Sequence, residues 1–364
     1  MLKVHQFNHT EGKKVYEEMF NELNCAEPHY LADYINTFAD GLKDLICFCF
    51  TTHAGSKIIM PGYLKPVLIN GEETLYFDFS TPYGYTGPFI TDDLSDADIE
   101  EFWAAVDSWY RANNVITEFI RFNLSGNEKL YSGTAFSTML NIKGKIVDEE
   151  LQWTAFDHKV RKNVKKAIRE GLSSRVFYRG ISDERVEEFY KIYIDTMQRT
   201  NAAKHFFYTE EQFKLFIRNN ADFAAVCTVY FEDIPVSSEL LLVSGNSIYS
   251  FLGGTVDTYF DKRPNDFLKV EALNWARLQG KKYYVLGGGY GFEDGIFKYK
   301  KAFFPDDVVS YYTGRKVLDH EAYASLVEKA SILRQSLGFD KLDINDTSFF
   351  PLYNKKNEIV TQGV

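Results

Sequence analysis

Between Gly295 and Phe304 the chain reads GIFKYKKAFF, which sets Lys298, Lys300 and Lys301 among aromatic side chains. An amine in such company has two uses. It can run its alkyl stem along an apolar helix edge with the charge left in water. Where rings exclude water, its charge counts for more and can orient an acyl or phosphoryl group. Just upstream, VLGGGYG (Val285 to Gly291) joins a strand-like run to a helical one. Its glycines, Gly288 and Gly289 among them, permit close backbone approach to a ligand or turns with positive φ. The stretch is neither a P-loop nor a dinucleotide fingerprint. It predicts a tight turn at the carboxyl end of a strand, where open α/β sheets take ligands.

A second group of charges lies in DHKVRKNVKKAIREG, from Asp157 to Gly171. Lys159, Lys162, Lys166 and Arg169 recur at helical spacing, flanked by Arg161 and Lys165, with only Asp157 and Glu170 to balance them. Such a stripe is either a solvated face or a seat for a polyanion such as a nucleotide diphosphate, coenzyme A or an RNA end. Both readings stay open. The loop STPYGYTGP, Ser80 to Pro88, follows a strand-like run. Turn chemistry accounts for its Pro and Gly, whereas Tyr83 and Tyr85 could wall a substrate cleft. No GxSxG, Ser-His-Asp or Cys-His-Asn arrangement is recognisable, so covalent acyl-enzyme chemistry is not expected.

These residues need elements to hold them. Apolar spacing predicts a helix over 157–171, a strand over 174–178, and a helix from Ser182 or Asp183 through Thr200. A further helix follows Thr209, whose Thr-Glu-Glu-Gln resembles a capping box. Three strands with short polar turns come next, at 223–231, 236–243 and 248–253, an antiparallel meander. Then follow a helix at 265–279, a strand at 282–286, a short helix at 294–303 and a strand at 308–313. The first half repeats the theme less cleanly, with helices near 13–23 and 30–39, strands at 45–52, 56–68 and 74–79, a helix at 95–113 and a strand at 116–122. The expected class is mixed α/β. The expected domains are 1–150 and 151–330, with a helix and polar tail over 331–364 and the boundary near Gly144 to Ala155.

A chain of 364 residues has room for about two domains. With 31 Phe and 24 Tyr it has the apolar surface that a disordered chain lacks. Its mean hydropathy is −0.28, and no apolar run approaches the ~18 residues of a membrane span. The net charge of −10 argues against DNA as a partner while leaving room for a local basic groove. Four cysteines are too few for a disulfide framework, and the seven histidines show no metal-ligand spacing, so no metal is expected. Cys47 and Cys49 alternate along LICFCF and read as packing. The N-terminus resembles neither a secretory signal nor a transit peptide, which gives a cytoplasmic expectation.

Four of these stretches together resemble the Fem-type peptidyl and aminoacyl transferases, built from tandem domains of the Gcn5-related N-acetyltransferase (GNAT) fold. They are PYGYTGP at 82–88, RKNVKKAIREGL at 161–172, TMQRT at 196–200 and LGGGYGFEDGIFKYKKAF at 286–303. The resemblance spans residues 80–303 and implies tandem GNAT-like acyltransferase domains, with these loops bordering the main cleft. It implies that Lys300, preceded by the aromatic Tyr299, is the active-site lysine, and that Arg199 meets substrate phosphate. Asp294, Glu239 and Tyr290 are the candidates for a general base. Ala302 stands where the family has glycine, the long coiled-coil arm of some members has no counterpart, and the ordinary acyl-coenzyme A signature is not evident. The donor is therefore either aminoacyl-tRNA or acyl-coenzyme A, and the acceptor a small-molecule or peptide amine. The expected activity is transfer of an aminoacyl or acyl group to that amine by direct attack. A coenzyme A-dependent N-acetyltransferase and a non-catalytic sensor on the same scaffold are the alternatives.

Overall fold

The structure, a computed structural model, describes residues 1–7, 12–91 and 94–355. In chain order the elements begin with β1 (Leu2–Gln6), α1 (Gly12–Glu22), α2 (Ala32–Phe38), β2 (Leu45–Thr51), β3 (Lys57–Ile69) and β4 (Glu72–Ser80). Helix α3 (Asp96–Ala112) follows, started by a capping box between Ser95 and Asp98. Next are β5 (Val115–Arg121), β6 (Thr134–Lys145), α4 (Glu149–Ala155), α5 (His158–Arg169) and β7 (Leu172–Tyr178). Then come α6 (Asp183–Arg199), α7 (Glu210–Asn219), β8 (Ala224–Phe231), β9 (Ile234–Val243) and β10 (Ser247–Thr255). The chain continues with α8 (Pro264–Leu278), β11 (Tyr283–Gly287), α9 (Gly295–Lys301), β12 (Val308–Val317) and α10 (His320–Ser336). This is a mixed α/β fold.

The chain divides into two compact units, and neither is contiguous. One comprises Met1–Leu23, Phe38–Ser137 and Tyr312–Val364; the other comprises Asn24–Thr37 and Thr138–Tyr311. In the first unit the strands run in the order β1, β2, β3, β4, β5, β12. All neighbours there are antiparallel except β4 and β5. Helix α3 buries Phe102, Trp103, Val106 and Tyr110 against Phe48, Phe50 and Phe79. A separate cluster forms where Tyr323, Leu326 and Val327 of α10 meet Val67, Ile116 and Leu352.

In the second unit the order is β6, β11, β10, β9, β8, β7, and only β10 and β11 run parallel. Strand residues alternate between faces. Cys227, Leu241 and Ile248 join Val160 and Val164 of α5 and Leu268 and Leu273 of α8 in one core. Residues of the other parity meet α6, where Tyr230 donates its phenol to Glu188 at 2.8 Å. Helix α6 comes close enough to β10 that a Cβ on Gly254 would lie 2.3 Å from the Thr196 hydroxyl. The short segment Asn24–Thr37 belongs to this unit: Tyr249 donates to Glu27 at 2.9 Å, and the Tyr34 and Phe251 rings lie 5.7 Å apart.

Most expected elements form, including α7 with its Thr209–Gln212 capping box. Four details differ. Strands β1 and β6 and helix α4 appear where none was read. The last helix starts at His320 rather than after Ser331, because Asp319 accepts from the Ala322 amide and caps it there. The residues after Ser336 then leave the helix. Ser182 occupies the N-cap of α6 without a side-chain bond.

Candidate active site

The parallel pair β10 and β11 holds register only over Ser247↔Tyr283, Ile248↔Tyr284 and Tyr249↔Val285. At Ser250 the register of β10 against β9 shifts, a bulge that re-aims the strand. The two strands thus separate toward their carboxyl ends, and the fork leaves backbone polar groups of β10 without a β11 partner. Divergence at the carboxyl ends of strands is where open sheets accept ligands.

Lys300 sits at this end. Helix α9 presents it half-buried, and its Nζ donates to the Gly288 carbonyl at 2.6 Å, just past the end of β11. Asp294 fixes the start of α9 by accepting from the Phe297, Tyr290 and Gly291 amides at 2.8, 2.6 and 3.1 Å. Those bonds, led by Phe297, hold its carboxyl below the usual carboxylate range. Gly289 makes the wrap possible, since a Cβ there would fall 2.0 Å from Asp294 Oδ1. Burial, reinforced by the neighbouring Lys269 ammonium, brings the Lys300 pKa down to about 8. Lys298 and Lys301 are exposed. Tyr299 accepts from Asn265 at 2.9 Å, and burial keeps its phenol protonated far above the ordinary range.

Beneath the fork lies a buried polar network that spans four elements. Lys269 of α8 donates to Glu239 of β9 at 2.5 Å and to Ser250 of β10 at 2.7 Å. Ser250 donates to the same Glu239 oxygen at 2.5 Å, and Tyr284 of β11 donates to the other oxygen at 3.2 Å. Lys269 and Glu239 are 7% and 8% exposed in their side chains, so this ion pair is shielded from water. The carboxylates of Glu239 and Asp294 both accept from other donors, and Tyr290 is 85% exposed.

The remaining candidates lie on other elements. Arg199, at the end of α6, donates to the Thr255 carbonyl at 3.0 Å and stacks over Phe260, so it marks the carboxyl end of β10. Lys162 and Lys166 lie on α5, the first exposed and the second half-buried, while Lys165 lies over Trp153. Lys300, Tyr299, Gly288 and Gly289 are thus gathered around α9, and Arg199, Lys162 and Lys166 are carried by α6 and α5. Tyr83 and Tyr85 belong to the first unit, Tyr83 being 56% exposed.

Residues that sequence reasoning passed over tie these helices together. Asn163 of α5 donates to Asp266 of α8 at 3.0 Å, and burial raises the Asp266 carboxyl above its ordinary range. With the Asn265–Tyr299 bond, α8 is anchored to both α5 and α9. Lys269 was also missed. Its signal was available: a lone cation on the buried stripe of α8 and a lone carboxylate in the apolar run of β9 are of opposite sign.

Comparisons with known proteins bear on the fold. The family model described as "Acetyltransferase (GNAT) domain" matches residues 158–301. Among solved structures, FemX superposes with a TM-score of 0.61 at 12% identity, covering 89% of this chain and 99% of that one. L-PGS from Bacillus licheniformis gives 0.56 at 13% identity, with 89% and 96% covered. The C-terminal domain of a putative lysylphosphatidylglycerol synthetase from Agrobacterium fabrum gives 0.54 at 13% identity, with 88% and 96% covered. No curated protein matches the chain by sequence. Residues 158–301 thus match a GNAT acetyltransferase domain, and the chain shares its fold with FemX.

Proposed function

We propose that this protein transfers an aminoacyl or acyl group from an activated donor to an amine, with Lys300 as the catalytic residue. The observation that carries the reading is the placement of Lys300: a half-buried ammonium at the carboxyl end of β11, aimed along the Gly288 backbone. In the reaction the amine nitrogen forms a bond to the acyl carbon. The carbonyl electrons move onto oxygen, then return as the ester or thioester bond breaks, and the proton lost by nitrogen ends on the departing oxygen or sulfur of the donor. An oxyanion forms in between, and a cation held away from water stabilises it more than the same cation in solvent. Arg199, Lys162 and Lys166 are assigned to phosphate groups of the donor or acceptor, and Tyr299, Gly288 and Gly289 to shaping the seat of the acyl group. Tyr83 and Tyr85 are assigned to substrate contact.

Acyl-coenzyme A as the donor is a second reading, favoured by the fork itself. An amide-bearing arm can pair with the backbone groups that β10 presents beyond Tyr249, as an added strand would. Mass spectrometry of ligand retained by the purified protein, followed by transfer assays with the donor found, decides between them. In that assay Lys300→Met should lower turnover by roughly two to three orders of magnitude, the cost of losing one oxyanion donor. Lys301→Met, on the exposed side of α9, should change it little. Normal turnover by a folded Lys300→Met variant would remove the assignment of Lys300 as the catalytic residue.

A further inference from the structure

The two units share one strand plan, six strands with a single parallel pair, yet their parallel pairs end differently. In the first unit β4 and β5 stay paired to the last residue of β4, Ser80↔Phe119. The Thr81 amide then continues the ladder to the Phe119 carbonyl at 3.0 Å. In the second unit pairing stops at Tyr249↔Val285, although β10 runs on to Thr255. Topology alone therefore does not make the fork. The bulge does. Ser250 pairs with Leu241 of β9 and Leu252 pairs with Leu240, so Phe251 is the extra residue. Side chains must hold such a register, since a slip of one residue sends every side chain to the opposite face.

Ser250 carries the bonds that hold it. Its Oγ donates to Glu239 Oε1 at 2.5 Å and accepts from the Lys269 ammonium at 2.7 Å, while Lys269 donates to that same carboxylate oxygen at 2.5 Å. Glu239 pairs with Gly253, two residues beyond Phe251, so the bond from Ser250 to Glu239 spans the bulge. Tyr284 of β11, beside the last paired residues, donates to the other Glu239 oxygen at 3.2 Å. Moved along by one residue, Ser250 would lose both its partners.

We propose that Ser250 is a positioning residue: by bridging Glu239 and Lys269 it locks the bulge at Phe251, and the locked bulge turns β10 away from β11 and keeps the fork open for the donor. The proposal rests on the reading of the fork as the donor's seat. Ser250 acts through the β10 backbone rather than on the reacting atoms, so its loss should weaken donor binding more than it slows the chemistry.

The first arm of the test needs no substrate. Hydrogen–deuterium exchange of the full-length protein is followed by peptide mass spectrometry in wild type, Ser250→Ala and Ser250→Thr, with a thermal melt of each. Ser250→Ala should speed exchange over residues 250–255 roughly three- to tenfold and leave other stretches unchanged, because a segment held by fewer bonds opens more often. Ser250→Thr keeps the hydroxyl and should exchange like wild type. The second arm is the transfer assay with the donor found by mass spectrometry. There Ser250→Ala should raise the KM for the donor roughly fivefold with kcat within about twofold, and Ser250→Thr should restore the KM. Unchanged exchange over 250–255 in Ser250→Ala, or faster exchange spread evenly over the chain, overturns the lock. So does a Ser250→Thr variant no better than Ser250→Ala. Faster local exchange with an unchanged KM overturns the fork as the donor's seat, and the positioning role with it. Normal turnover by Lys300→Met beside a raised KM in Ser250→Ala would overturn only the assignment of Lys300.

Discussion

An ammonium drawn partly out of water costs the fold something, and at Lys300 that cost has a definite pH window. Its pKa falls from 10.5 to about 8, with burial the largest cause. Below pH 8 both folded and unfolded chains carry the charge, and the folded one bears the penalty. Between about 8 and 10.5 the unfolded chain holds a proton that the folded chain has released, so this contribution to stability rises with pH. Above that range the penalty is gone. Lys300→Met removes the penalty and also the bond to the Gly288 carbonyl. It should therefore melt slightly above wild type at pH 7, by on the order of 1 kcal/mol, with the gain lost by pH 10.5. Thermal melts across that range check the sign. A variant that melts well below wild type at pH 7 would make the lysine a structural residue. The aromatic neighbours single out Lys298, Lys300 and Lys301 together, and only the family resemblance chooses Lys300 among them. Lys269 went unread although its signal was present, because a charge in a helix reads as solvated until the strand beneath it is known to carry the opposite sign.

Elements declare themselves in sequence when their apolar periodicity is strong, as in α3, α5, α6 and the β8 to β10 meander. Strand β6, TAFSTMLNIKGK, lacks that signal because small and polar residues interrupt its alternation, and pairing with strands such as β11 identifies it. Helix α4 has seven residues, too few to show a period, and depends on the Asp148 cap at its start. The fork is likewise invisible in one dimension, since it depends on where pairing stops. It also depends on how closely α6 presses on β10. At Gly254 a Cβ would lie 2.6 Å from the Ile192 carbonyl as well as against Thr196, and a backbone atom cannot turn aside. Gly254→Ala should therefore destabilise the protein by about 1–3 kcal/mol, the usual range for an overpacked contact. It should also disturb Arg199, whose anchor is the next carbonyl, Thr255. Denaturant unfolding checks the first effect. A midpoint within error of wild type would mean that α6 yields more easily than its packing implies.

At the scale of the whole chain, the noncontiguous units govern what can be cut away. Residues Asn24–Thr37 belong to the second unit and contribute Tyr30, Tyr34 and Ile35, each 2% exposed or less. Burying a large apolar side chain stabilises by about 1.5–3 kcal/mol, so these three together contribute on the order of 5 kcal/mol or more. A fragment of residues 138–311 alone should then lack a cooperative melt. The same fragment with residues 24–37 fused through a flexible linker should regain one. A sharp, equal transition in both would show that the segment adds nothing to the unit. Sequence reasoning places the GNAT-like elements of this unit in order, and nothing in local pattern tells that a stretch more than a hundred residues upstream completes it.

That same interleaving sets a timetable for the chain as it leaves the ribosome. Glu27 and Tyr34 emerge more than two hundred residues before Tyr249 and Phe251, their partners on β10. At about 5–20 residues per second, the early segment waits roughly ten to forty seconds for a surface to cover it. The other unit waits nearly as long, because its strand β12 pairs with β5 through Thr313 to Val317, almost two hundred residues later. Neither unit can close early and leave the other to follow. Both wait for residues near 310 or beyond, so a nascent chain carries unmet apolar surface until these emerge and depends on whatever shields it in that interval.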